Sequence, residues 1–169
     1  MKRRYIYLPL LAGALTPWLV IHVLEVNFGT PRFHKPYIFI DDPQAILFLT
    51  ALAEIPFVVL IAVMLGISKT KVGGVQRELT FWGGLISAWG LTAYGHWDVW
   101  YPIYSTWARM GSTFVVVFLF IPFYALFFLV IGLAVGYLIG RGISFLPPFQ
   151  EGKKNKPARE EGEDDKFSL

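Results

Sequence analysis

The chain has 169 residues, a formal net charge of +3 and 55% hydrophobic residues, with a positive mean hydropathy. Its apolar residues fall in long blocks rather than short periodic ones, which excludes an ordinary soluble domain of this size. Cysteine is absent, which excludes disulfides, thiolate metal sites, iron–sulfur ligation and thiol redox chemistry carried by this chain.

A helix needs roughly 20 apolar residues to cross a hydrocarbon core of about 30 Å, and four segments meet that need. The first covers residues 5–26, preceded by Lys2, Arg3 and Arg4. Such a start imitates a secretory signal, but the apolar run continues well past the small residues Ala12 and Ala14, so an uncleaved span is expected. Near its end stand His22 and Glu25, three residues apart and therefore on one helix face. The loop that follows carries Arg32, His34, Lys35, Asp41 and Asp42.

The second span covers residues 45–67. Glu54 lies about ten residues into it, roughly 15 Å deep at about 1.5 Å per residue. A carboxyl group at that depth must be protonated, paired or wetted. Pro56 follows it closely and removes a backbone donor, as do Pro9, Pro17 and Pro122 in their own spans. The next loop holds Lys69, Lys71 and Arg77 around Gly73 and Gly74, a flexible turn suited to lipid headgroups.

The third span, residues 79–100, ends in GHWDVWYPIYSTW, which places His96 and Asp98 among Trp97, Trp100, Tyr101, Tyr104 and Trp107. These aromatics match the belt expected where a membrane helix meets water. The fourth span, residues 113–139, carries at its end Gly132, Gly136 and Gly140 at four-residue spacing. That stripe lets another helix approach closely, from this chain or from a second copy. Residues 150–169 are polar, mixed in charge and nearly free of large apolar groups, which predicts a disordered tail.

Orientation follows from Lys and Arg in short loops. With the N-terminus inside, the inner segments hold Lys2, Arg3, Arg4, Lys69, Lys71, Arg77, Arg141 and the basic residues of the tail. The outer segments hold Arg32, Lys35 and Arg109. The expected fold is therefore an all-α integral membrane protein, a four-helix transmembrane bundle in the plasma (inner) membrane with both termini cytoplasmic. The basic residues form no face beside groove-reading side chains, so nucleic acid is not an expected partner. The expected partners are the lipid bilayer and either other membrane subunits or a second copy bound through Gly132, Gly136 and Gly140.

Three functions are compatible with these residues. One is an accessory subunit of a larger membrane complex, such as a respiratory one, which suits the small size, the glycine stripe and the charged tail. Another is a redox protein with a transition metal or haem b at the outer face. His22 stands as far beyond Tyr5 as His96 stands beyond Leu79, so the two imidazoles belong at similar heights. If spans one and three are diagonal neighbours, both face the same core, with Glu25, His34 or Asp98 completing or orienting a nitrogen-and-oxygen ligand set. His96 and Asp98 would share a side only if the helix unwinds there. The last is a small proton-coupled transporter in which Glu54 titrates. Nucleophilic catalysis finds little support: Ser105, Thr106 and Ser112 lie near His96, but no nucleophile elbow is present.

Overall fold

A computed structural model describes residues 3–29, 43–106 and 112–146. All regular structure among them is helical: α1 (Arg4–Phe28), α2 (Pro43–Ser68), α3 (Gly74–Thr106) and α4 (Ser112–Ser144). His34, Asp41, Asp42, Arg109 and the 150–169 tail lie outside the described residues.

The helices begin and end close to where the apolar blocks do. α1 stops at Gly29, whose φ of 75° only glycine adopts without strain, and the Gly29 N–H donates to the Glu25 carbonyl at 2.9 Å. α2 stops where the Ser68 and Thr70 hydroxyls turn back onto the Leu65 and Ile67 carbonyls, both at 2.7 Å. The interior prolines bend no helix to the point of breaking it. Pro9, Pro17, Pro56 and Pro122 all lie buried, on the sides of their helices that face the bundle.

α3 and α4 are longer than the apolar blocks they contain, at 33 residues each. α3 in particular runs unbroken through the aromatic segment to Thr106, so the helix does not unwind at Trp97–Tyr101. By length and apolar composition α1, the Thr50–Ser68 part of α2 and the Val116–Ser144 part of α4 can cross a membrane, whereas α3 falls short. Its sequence includes Gln76, Arg77, Glu78, His96 and Asp98, which lower its hydropathy. α3 packs against all three other helices, most extensively against α4. Its inward stripe at three- and four-residue intervals includes Phe81, Leu85, Ala88, Thr92, His96, Val99 and Ile103, all buried.

The helix order differs from a simple up-down ring. α1 touches α2 and α3, α2 touches α4 as well as α3, and α1 and α4 make no contact among the described residues. Spans one and three are thus adjacent rather than diagonal, and α2 and α3 each touch all three other helices. α1 and α3 run parallel, tied near one end by the rings of Tyr5 and Phe81 (4.7 Å between centroids) and near the other by Phe28 and Tyr101 (5.6 Å).

The seam between α3 and α4 is antiparallel and made of small residues. A Cβ built on Gly132 would fall on the Gly83 carbonyl oxygen and the Ser87 hydroxyl. One on Gly136 would fall on the Leu79 carbonyl, and one on Gly140 on the Gln76 Cα. The glycine stripe of α4 is therefore filled by α3 of the same chain, and it is not a free surface for another subunit or copy.

Two apolar clusters form the core. Tyr5, Phe57, Leu60, Met64, Phe81, Leu85, Ala88 and Leu129 fill one half, and Val20, Leu24, Val99, Trp100, Ile103, Tyr104, Phe118 and Ile121 fill the other. Between them lie small or polar buried residues, among them Thr16, Thr92 and Ala125. Large apolar side chains also cover the outside, including Phe123 (67% exposed) and Phe127 (64%) on α4 and Ile86 (61%) on α3.

Candidate functional site

The polar side chains sort into three levels along the bundle. At the end where α1 and α3 begin, the Tyr5 hydroxyl donates to Glu78 Oε1 at 2.6 Å, and the Arg4 guanidinium pairs with Glu78 Oε2. Sequence reasoning passes over Glu78, which sits among polar residues just before a span. Its meaning appears only once α1 and α3 are known to be parallel neighbours.

At the opposite end the Tyr104 hydroxyl donates to Glu25 Oε1 at a long 3.4 Å, again joining α3 to α1. The contacts at the two ends place His22 and His96 at similar heights, as the counting along the spans implies. Their environments differ. His22 is exposed, whereas His96 is 3% exposed, with its ring 5.5 Å from that of Phe118 on α4 and no hydrogen-bond partner for Nδ1. Asp98, two residues along an intact helix from His96, is exposed, and Glu25 is half-buried. Among the described residues no three His, Asp or Glu side chains gather closely enough to hold a metal ion. His34 lies outside them.

The aromatic run is only partly an interface belt. Trp100 and Tyr104 are buried core residues, Tyr101 faces outward, and Trp97 stacks on Tyr101 with centroids 5.7 Å apart. A cleft of about 530 Å³ opens elsewhere, between α1 and α3, lined by leucines with Trp82 and Trp89 on one wall. Its hydroxyl-bearing residue, Thr16, turns its Oγ1 back onto the Ala12 carbonyl, so the cleft presents hydrocarbon.

At mid-height stands Glu54, the sole ionisable side chain of α2. Its carboxyl group rests on the α1 backbone at Gly13: a Cβ there would come within 2.7 Å of Glu54 Oε2 and 2.7 Å of Phe57 Cδ2. The backbone amide of Ala14 meets the same carboxyl group. Glu54 Oε2 is buried and accepts no hydrogen bond. Gly13 was not visible from the sequence as its counterpart, because nothing in either helix alone sets their register. No family model, curated protein or solved structure matches the chain.

Proposed function

We infer that this chain is a four-span protein of the plasma membrane, with both termini in the cytoplasm, and that it serves as an accessory subunit of a larger membrane complex. The observation that carries the membrane reading is the outward-facing apolar surface of α1, α2 and α4. Soluble monomers seldom expose apolar patches beyond a few hundred Å². α3 crosses packed against the other three helices, and the Lys and Arg distribution sets the direction.

The accessory role is supported by the aromatic outer face of α4, with Phe120, Phe123, Tyr124, Phe127 and Phe128 exposed. It lies apart from the glycine seam, so a second subunit could pack there without disturbing the bundle. Extraction in mild detergent followed by affinity purification tests this role. Stoichiometric co-purification of other membrane subunits is expected, and a chain that always isolates alone contradicts it.

A second reading is favoured by Glu54, a mid-bundle carboxyl group with a buried oxygen lacking a partner. An acid so placed is a functional group by default, and proton handling is the role that fits a lone carboxyl. Proton flux in liposomes reconstituted with Glu54→Gln checks it. Loss of flux supports transport through this residue, and unchanged flux ends that reading.

A further inference from the structure

Proline has no N–H, so Pro17 leaves the Gly13 carbonyl of α1 without its usual intrahelical donor. In hydrocarbon such a carbonyl must find another donor, and neighbouring side chains are a common source. Gly13 is also where the Glu54 carboxyl group of α2 rests, on the space left by the missing side chain. Gly13 thus carries the carbonyl that Pro17 deprives of its helical donor, and beside it lies a carboxyl group that meets the Ala14 amide and whose buried Oε2 accepts no hydrogen bond. A carboxylate cannot satisfy a carbonyl, since both only accept. A carboxylic acid can, because it gains one O–H donor.

The Ala14 amide is the one donor that meets the Glu54 carboxyl group among the described residues, and no fixed positive charge stands at this level to hold it ionised. From α1, Arg4 lies near one end and His22 and Glu25 near the other. From α3, Arg77 and Glu78 lie at the first end, with His96 and Asp98 well above Gly13. α4 contributes Arg141 at its last turn, and α2 has no other ionisable group among its helical residues.

We propose that Glu54 is a proton-binding site: it carries a proton that it donates to the Gly13 carbonyl, joining α1 to α2 at the one backbone position that Pro17 leaves open. The site rests on the reading of Glu54 as the proton-handling group and gives that reading its acceptor. Losing the proton breaks the bridge and sets two acceptors against each other, so occupancy by a proton also controls how closely α1 and α2 approach.

Difference infrared spectroscopy of the full chain in lipid at neutral pH tests this directly. A protonated-carboxyl stretching band that shifts on deuteration is expected, and it should vanish in Glu54→Gln, whose amide keeps a donor for the same carbonyl and so keeps the fold. Pro17→Ala returns an N–H to Gly13 and is expected to move the band to higher frequency as its hydrogen bond weakens. Absence of the band in the unaltered chain, or its survival in Glu54→Gln, overturns the proposal. A band unmoved by Pro17→Ala overturns the assignment of Gly13 as acceptor. These results are independent of flux: a band with the expected behaviour beside flux that ignores Glu54→Gln would remove transport and keep the bound proton.

Discussion

Gly136→Ala puts the packing of α3 on α4 to a quantitative test. The added Cβ would land on the Leu79 carbonyl, with the Thr80 Cα 3.0 Å away, so every obstacle is backbone and none can rotate aside. Overpacking of this kind costs about 1–3 kcal/mol. Replacing glycine by alanine inside a helix returns at most about 1 kcal/mol. The clash wins, and a net loss of about 1–2 kcal/mol is expected. Gly90→Ala supplies the contrast, because Gly90 lies on the outer face of α3 with nothing within 4 Å of the new Cβ. There the helix-propensity gain stands alone, and the variant should match or exceed the original chain. Reversible unfolding in mixed micelles of increasing SDS fraction measures both. A Gly136→Ala protein as stable as the original, or two variants shifted in the same direction, would refute the seam as described.

Gly13→Ala should destabilise the bundle by about 1–3 kcal/mol, and Glu54→Ala in the same chain should recover part of that loss, because the two changes share one space; the unfolding midpoints of the double-mutant cycle read the coupling. Tyr5→Phe removes a hydroxyl donated to Glu78 at 2.6 Å and should cost about 1–2 kcal/mol, seen in the same titration. Arg4→Ala removes the solvent-exposed guanidinium from a pair whose Glu78 side is half-buried, so its effect should be smaller than that of Tyr5→Phe and should fade as salt rises.

The helices were legible because apolar blocks of membrane length leave little choice of structure. Glu54 stands out for the same reason, as a charge-bearing residue in the middle of such a block. What the blocks do not encode is which helix touches which. The adjacency of α1 and α3 depends on side-chain fit across the bundle, and with it go Glu78 as a partner of Tyr5 and Arg4, and the separate fates of His22 and His96. The glycine stripe was readable as a close-packing surface, but its partner, the 76–87 segment of α3, needs the antiparallel register to be recognised. The aromatic run after Gly95 misleads as a belt because an unbroken helix sends Trp100 and Tyr104 inward and Tyr101 outward by turn geometry alone.

The lack of native cysteine makes the membrane crossing itself directly measurable. Single cysteines placed by Gly29→Cys, Gly73→Cys, Ser112→Cys and Ser168→Cys can be exposed to a membrane-impermeant thiol reagent on intact cells and again after permeabilisation. Labelling from outside is expected at positions 29 and 112, with positions 73 and 168 reacting only once the membrane is opened. External labelling at position 73 or 168 in intact cells would contradict four crossings with both ends in the cytoplasm.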